Sequence, residues 1–289
     1  MISRKKFNLR LPSGKLVLGK RTLVMGVLNV TPDSFSDGGK FYAEERAIEH
    51  ALAMERAGAD LLDIGAESTR PGSAGISAEE EWQRLLPVFG GLRRLLKIPI
   101  SIDTQKAEIA EAALEAGAQI INDISGLKSD PRIAEVAARH RVPLILMHMR
   151  GTPRTMQEGP FARDVIKQVT QGLRASIAKA RKAGVARSQI ILDPGIGFGK
   201  SFAQNYELLA KLPQLAKLGY PLLVGTSRKG FLGATLARGG QPAPAEERIW
   251  GTAATVTASI LHGAHIVRVH DVAEMVQVGR VADCVLQER

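Results

Sequence analysis

The segment ERAGADLLDIGA, from Glu55 to Ala66, contains the end of a predicted helix, a turn at Gly58 and an apolar strand. Glycine is the usual residue just past a helix end, because it adopts positive φ without a Cβ clash. The same order of helix, glycine and strand returns in LEAGAQ at 114–119, ARKAGV at 180–185 and LHGAH at 261–265. The pattern predicts a chain built from repeated helix-to-strand units.

Eight short segments are apolar and lack the alternation of a half-exposed strand. Strands of this kind belong to a parallel sheet that is covered on both faces. Helical patterns separate them, for example at 43–57, 105–116 and 165–183. The predicted strands are Thr22–Val30, Asp60–Ala66, Ile98–Asp103, Ala118–Ile124, Val142–His148, Gln189–Asp193, Pro221–Gly225 and His265–His270.

Eight such units in succession favour an α/β protein with a closed (β/α)8 TIM barrel. An open doubly wound sheet is the alternative, because periodicity alone does not separate the two. Residues 7–18, with PSG at their centre, are predicted to form a β-hairpin that covers the bottom of the barrel. No Pro/Gly/Ser linker divides the chain, so we expect a single domain over 1–289, with 1–21 as the hairpin extension.

The composition of the 289 residues is that of a folded globular protein, with 45% hydrophobic residues and few aromatic ones. Cys284 is the only cysteine, which excludes an internal disulfide and a cysteine-cluster metal site. The basic N-terminus lacks the apolar stretch of a secretory signal, and no segment is long enough to span a bilayer. We therefore expect a cytoplasmic protein that contacts no membrane.

The formal net charge of +10 raises the possibility of nucleic-acid binding. The basic pairs at 93–94, 139–141 and 181–182 fall on separate predicted helices, however, and no aromatic residues interleave with them as a base-stacking surface requires. We expect the charge to serve solubility, with no nucleic-acid partner. A salt titration of nucleic-acid binding would test this alternative.

Polar residues stand at the carboxyl end of nearly every predicted strand. In a barrel these ends open on one face, where enzymes of this fold carry their chemistry. Any one of them alone could instead cap a turn or sit hydrogen-bonded in the core. The residues are Asn29, Glu67, Asp103, Asn122 with Asp123, His148, Asp193, Ser227, and Arg268 with His270.

Three loops add turn and anion-binding chemistry: STRPGS, DPGIGFGK and GTSRKGFLG. The last predicts Ser227 as a helix N-cap with Arg228 and Lys229 in the first turn, an arrangement that attracts carboxylate or phosphate. The segment GIGFGK at 195–200 resembles a phosphate loop only loosely, because it lacks the Walker spacing.

The segments GVLNVTPDSFSDGGKF and DIGAESTRPGS resemble the two signature segments of the dihydropteroate synthase family. The likeness continues through SIDTQK, INDISG, MHMRGTPRTMQ, ILDPGIGFGK, GTSRKGFLG and VRVHDV. The resemblance implies a (β/α)8 barrel that forms a homodimer. It also implies a transferase that condenses 6-hydroxymethyl-7,8-dihydropterin diphosphate with p-aminobenzoate, giving 7,8-dihydropteroate and pyrophosphate for folate synthesis.

The resemblance assigns the deep polar residues to the pterin. Asp193 would accept two parallel hydrogen bonds from the amino-pyrimidinone edge, which is shaped like a guanidinium. The implied pterin set is Asp103, Asn122, Met147, Asp193, Phe198 and Lys229, with Met147 and Phe198 as apolar walls.

Other residues are implied to bind the diphosphate and to drive its departure, which leaves a positive centre on the exocyclic carbon in an SN1-like step. Asn29 would be a ligand of Mg²⁺, a hard cation that suits oxygen donors and substrate phosphates. The implied diphosphate set is Asn29, Thr69, Arg70, Arg268 and His270, and the implied catalytic set is Asp103, Lys229, Arg268, His270, Asp33 and Phe35.

Two loops would complete the site. We expect 31–39, which contains Asp33 and Phe35, to close over bound substrate and exclude water. The loop at 68–73 would lie over p-aminobenzoate, with Ser227 on its carboxylate; the implied set is Thr69, Pro71, Phe198, Ser227 and Lys229. Arg150 stands where bacterial members commonly carry Gln.

A pterin-dependent methyltransferase domain is a second hypothesis within enzymes, since it shares the barrel and the pterin-binding carboxylates. Such a domain should lack the NVTPDSFSDGG and STRPG loops and needs no diphosphate contacts. This chain has both loops, together with Arg268 and His270.

Overall fold

The computed structural model describes residues 4–31, 39–68, 73, 75–159 and 161–288. In this part of the chain, eight parallel strands form one sheet, and an antiparallel pair precedes it. The strands of the large sheet are β3 (Leu23–Asn29), β4 (Leu61–Gly65), β5 (Ile100–Asp103), β6 (Ile120–Asp123), β7 (Leu144–Met147), β8 (Ile190–Asp193), β9 (Leu223–Val224) and β10 (Ile266–Val269).

The large sheet closes on itself. β3 pairs with β4 on one side and with β10 on the other, so the first and last barrel strands are neighbours. Leu192 of β8 forms a parallel bridge with Leu222, and its N–H donates to the carbonyl of Pro221 at 2.9 Å. The predicted (β/α)8 barrel is confirmed, and the open doubly wound alternative is wrong, because the bridge from β8 to Leu222, just before β9, joins the two ends of the strand order.

Helices cover the outside of the barrel. The four glycines of the repeated turns, at 58, 117, 184 and 263, have φ between 95° and 116°, as helix-to-strand turns require. The helices are α1 (Gly39–Arg56), α2 (Ala78–Leu92), α3 (Ala107–Glu115), α4 (Ile133–His140), α5 (Val165–Lys182), α6 (Phe202–Ala210), α7 (Leu212–Ala216), α8 (Gly230–Thr235), α9 (Ile249–Leu261) and α10 (Val272–Gln287). Among the described residues, every helix is too short or too polar to span a bilayer.

The predicted N-terminal hairpin is confirmed as β1 (Phe7–Leu11) and β2 (Gly14–Leu18). Its inward leucines pack against apolar residues at the amino ends of the barrel strands, such as Leu61 and Ile120. Gln189, which immediately precedes β8, holds the hairpin through two hydrogen bonds. Its side-chain amide donates to the Arg10 carbonyl and accepts from the Arg10 N–H, each at 2.8 Å. The hairpin therefore closes the bottom of the barrel, and the open rim lies at the opposite end.

Candidate active site

The carboxyl ends of the strands bring most of the predicted polar residues to one rim. Asp103 of β5 lies in register with Asn122 of β6, and Met147 of β7 with Asp193 of β8. Because neighbouring parallel strands carry paired residues on the same face, these side chains enter the barrel mouth side by side. The polar ends converge, as the sequence predicts.

Asp63 is the residue at the centre of this rim that sequence reasoning missed. Its side chain is 0% exposed, and its Oδ2 accepts from the Arg268 Nε at 2.6 Å and from the Asn122 Nδ2 at 2.9 Å. Arg268 also donates from Nη2 to Asp103 Oδ2 at 2.9 Å. The sequence feature that could have identified Asp63 is its place inside the apolar run LLDIG, where burying an unpaired charge is costly.

The carboxylates of the rim hold their protons more tightly than usual. Burial raises the pKa of Asp103 to about 8, and the charge of Asp63 adds to this shift while Arg268 opposes it. Burial also raises the pKa of Asp193 to about 6, against the Gly195 N–H and nearby cations. At neutral pH Asp103 is mostly protonated and Asp193 mostly ionised, so the two carboxyls present different hydrogen-bonding groups.

Lys229 and Phe198 form one side of the mouth. The Lys229 Nζ lies 3.9 Å from the centre of the Phe198 ring, a cation–π contact. Burial and the charge of Arg268 lower the pKa of Lys229 to about 8. Phe198 packs on a small apolar cluster that contains Met147, Met149 and Met156. A flat ring that entered here would meet an apolar wall and a cation together.

Ser227 and His270 contact each other at the ends of β9 and β10. The Ser227 Oγ lies 3.0 Å from His270 Nδ1 and accepts from the His270 N–H at 3.2 Å. The predicted N-cap role of Ser227 is wrong, because α8 begins at Gly230 and a turn from 226 to 229, with Arg228 at φ 57°, precedes it. Burial and Arg268 lower the pKa of His270 to about 3, so its imidazole is neutral.

Asn29 ends β3 with an exposed side chain beside Gly65. Its carboxamide has no hydrogen-bond partner among the described residues, which leaves its oxygen available. In the same residues no group of three or more His, Cys, Asp and Glu side chains could hold a metal alone. This donor set fits a magnesium ion that takes most of its ligands from phosphate and water.

Several predicted polar ends serve the scaffold instead of the mouth. Glu67 pairs with Lys106, which also binds the buried Glu81. Asp123 accepts from the N–H groups of Ser125 and Leu127, as a loop-capping carboxylate does. These contacts give Glu67 and Asp123 structural roles, because each carboxylate is held by a partner outside the barrel mouth.

Arg150 and His148 also have structural partners. Arg150 donates to the carbonyls of Met156 and Glu158, so it braces its own loop after β7. His148 is buried, with its Nδ1 3.2 Å from the Lys200 Nζ. Five predicted site residues lie outside the described residues: Asp33, Phe35, Thr69, Arg70 and Pro71.

Comparison with known proteins agrees with this architecture. The family model described as "Pterin binding enzyme" matches residues 25–270, from the first barrel strand to the last. The barrel with its polar rim thus defines a pterin-binding enzyme.

Individual relatives identify the family within the pterin-binding enzymes. Dihydropteroate synthase of Synechocystis is 53% identical over 275 residues, covering 94% of each chain, and that of Escherichia coli is 46% identical over 266 residues, covering 92% of each. The chain belongs to the dihydropteroate synthase family.

Solved structures give the same family. The Yersinia pestis dihydropteroate synthase in a sulfonamide drug complex has a TM-score of 0.89 and 41% identity, covering 98% of this chain and all of that one. The Xanthomonas albilineans enzyme in complex with 7,8-dihydropteroate has a TM-score of 0.82 and 41% identity, covering 93% of this chain and 95% of that one.

Proposed function

We propose that this chain condenses 6-hydroxymethyl-7,8-dihydropterin diphosphate with p-aminobenzoate, giving 7,8-dihydropteroate and pyrophosphate. The observation that carries the proposal is one hydrogen-bonded network at the rim, in which Arg268 binds both Asp63 and Asp103, and Asn122, on the strand beside β7, binds Asp63. This rim offers carboxyl and amide groups for a polar heterocycle and a guanidinium for its phosphate tail.

The pterin would lie deepest. Asp193, ionised at neutral pH, would accept from the ring N–H and exocyclic amine through two parallel hydrogen bonds. Asp103, which is mostly protonated at that pH, can donate a hydrogen bond to a ring nitrogen. Lys229 would donate to the ring acceptors, and Phe198 would cover a ring face.

The diphosphate would extend toward the rim beside Arg268, His270 and Asn29. Departure of pyrophosphate leaves positive charge that the pterin ring delocalises, and the arylamine nitrogen then attacks the exocyclic carbon and loses a proton. Arg268 would stabilise the growing negative charge of the leaving group, which is often the largest contribution to catalysis. Since Asp63 and Asp103 hold two of its nitrogens, Arg268 is oriented before the substrate arrives.

Mg²⁺ would be held by Asn29 together with substrate phosphate oxygens and water. When bound, it neutralises phosphate charge and so eases pyrophosphate departure. The remaining implied contacts are Thr69 and Arg70 at the diphosphate, Thr69 and Pro71 over p-aminobenzoate, and Ser227 near the carboxylate of that substrate.

The loop at 31–39 would close over bound substrate and keep water from the cationic carbon. Changing Asp33 and Phe35 to Ala should reduce turnover and increase pyrophosphate release that is not coupled to p-aminobenzoate. Unchanged turnover and unchanged substrate affinity would contradict a closing loop.

The decisive assay incubates the protein with the pterin diphosphate, p-aminobenzoate and Mg²⁺ and follows pyrophosphate. Release that depends on the arylamine and stops on chelation with EDTA is the expected result. No arylamine-dependent release would reject the function, and full release in EDTA would reject the metal. We also propose that the chain forms a homodimer and acts in the cytoplasm. The sedimentation coefficient of the purified chain tests its oligomeric state.

A further inference from the structure

Lys200 is a buried amine to which the expected chemistry assigns no role, and burial lowers its pKa to about 7. Its side chain is 2% exposed, and its Nζ lies within hydrogen-bond distance of four acceptors. Three are backbone carbonyls, those of Gly195 at 2.8 Å, Phe198 at 2.9 Å and His148 at 3.0 Å, and the fourth is the His148 Nδ1 at 3.2 Å. No carboxylate is among these contacts, so carbonyl dipoles hold the ammonium group.

The loop at 195–200 wraps around that ammonium. Its alternate glycines, 195, 197 and 199, have φ of 68°, 85° and 68°. A Cβ at 195 would collide with the His148 carbonyl, one at 197 would lie 3.0 Å from the Lys229 Cδ, and one at 199 would lie 2.7 Å from the Arg150 Cβ. The glycines let the loop curl close to β7 while its carbonyls point inward to Lys200.

This loop carries one proposed pterin contact, Phe198, and touches two others, Asp193 and Lys229. The Gly195 peptide N–H donates to Asp193 Oδ1 at 2.7 Å, and the Gly195 carbonyl accepts from Lys200. The Phe198 carbonyl also accepts from Lys200, while the ring of Phe198 meets Lys229. Lys200 thus binds the backbone of Gly195, which in turn binds Asp193, and the backbone of Phe198. Asp193 and Phe198 are the residues that would hold the edge and the face of the pterin.

We propose that Lys200 is a positioning residue of the pterin site, which sets the Asp193 carboxylate and the Phe198 ring by holding the 195–200 loop to the end of β7. The inference rests on the proposed function, since it gives that site its geometry.

The charge of Lys200 supports the same role. Three cations face Asp193: Lys229 from the turn after β9, Lys200 from the 195–200 loop and Arg268 from β10. Each acts to lower the pKa of Asp193, against the burial that raises it. His148 of the adjoining β7 end is neutral, because burial lowers its pKa to about 2. Loss of the Lys200 charge should therefore raise the pKa of Asp193 and move pterin binding to higher pH.

Lys200→Met tests this role, because it keeps the length of the side chain and removes its donors. We expect the dissociation constant for the pterin diphosphate, measured by calorimetry without p-aminobenzoate, to rise at least tenfold. The acid limb of pterin binding should also shift to higher pH. Lys211→Met is the matched control, since Lys211 pairs with Glu207 on an exposed surface and should leave both quantities unchanged.

Rescue separates positioning from general damage. Lys200→Cys in a Cys284→Ser background, alkylated with 2-bromoethylamine while unfolded and then refolded, regains an ammonium on a chain of equal length. Its pterin affinity should return to within threefold of the wild-type value. A rescued melting temperature with unrescued affinity would overturn the proposal.

The remaining outcomes are also decisive. A folded Lys200→Met protein with wild-type pterin affinity and pH profile overturns the inference. If no Lys200 variant folds, His148→Leu decides, because it removes one acceptor and leaves three carbonyls: affinity at least threefold weaker supports the role, and unchanged affinity overturns it. A wild-type protein that fails to bind the pterin diphosphate instead rejects the proposed function.

Discussion

Asp63 is the carboxylate on which the polar rim depends. It is fully buried, yet it accepts from both Arg268 and Asn122 through one oxygen. If Arg268 lost this partner, its partly buried guanidinium would be left with Asp103 alone. Asp63 therefore positions Arg268, the proposed diphosphate contact, without contacting the substrate itself.

Asp63→Asn should lower turnover by about tenfold or more, because a hydrogen bond to a charged group is worth ~1.5–3 kcal/mol. The pKa of Asp103 should fall, since the charge of Asp63 contributes to its elevation. Carbon NMR of labelled aspartate measures that pKa, and steady-state kinetics measure turnover. Glu207→Gln on the exposed face of α6 is the control. An unchanged Asp103 pKa would contradict this account.

Asp193→Asn should weaken pterin binding by about 10- to 100-fold, because an amide cannot accept both hydrogen bonds and ~1.5–3 kcal/mol is lost. Calorimetry with the pterin diphosphate gives the dissociation constant. The Gly195 N–H can still donate to the amide oxygen, so the loop should keep its fold. Equal affinity in the variant would show that Asp193 does not bind the pterin edge.

The titration of Asp103 should make the folded state less stable at high pH. Its folded pKa of about 8 exceeds the usual 3.8, so the folded state retains a proton that the unfolded state releases, and stability falls as pH rises through that window. Asp103→Asn removes this titration. The excess of the variant's melting temperature over that of the wild type should grow by at least about 2–4 °C as pH rises from ~5 to ~9. Calorimetric scans at both values test this, and an excess that fails to grow would refute it.

The elements of the barrel were predictable because each depends on local patterning. The first and last predicted barrel strands, Thr22–Val30 and His265–His270, are observed as β3 (Leu23–Asn29) and β10 (Ile266–Val269). The segment Pro221–Gly225 shortens to the two-residue β9, because only Leu223 and Val224 pair with β10. Its following turn was mispredicted, since Arg228 adopts positive φ and delays α8 to Gly230.

The hairpin should contribute to stability without contributing to catalysis. Leu9→Ala leaves a cavity where a leucine with 0% exposure packs, at a cost of about 2–5 kcal/mol. Val17→Ala, on the exposed face of β2, should cost less than about 0.5 kcal/mol. Denaturant unfolding measures both. Turnover per folded molecule should stay at the wild-type value in each, and a loss in Leu9→Ala would mean that the hairpin influences the distant rim.

At the scale of the whole molecule, the sequence predicted the barrel and the convergence of its polar strand ends, because periodic apolar strands and turn glycines are local signals. It missed Asp63 and Lys200, whose partners Arg268 and His148 are 205 and 52 residues away. It also grouped Glu67 and Asp123 with the mouth, since a polar residue at a strand end looks the same whether its partners are local or distant.

In the part of the chain that the structure describes, the hairpin closes the bottom of the barrel, so the polar site is open toward the rim. The leucines of the hairpin fill the lower end, while Asn122 and Asp193 are only 2% and 6% exposed at the inner end of the mouth. A molecule that binds at the inner end must therefore enter before the one that binds nearer the rim. The pterin diphosphate would then bind first and the arylamine second, and pyrophosphate would leave through the same opening.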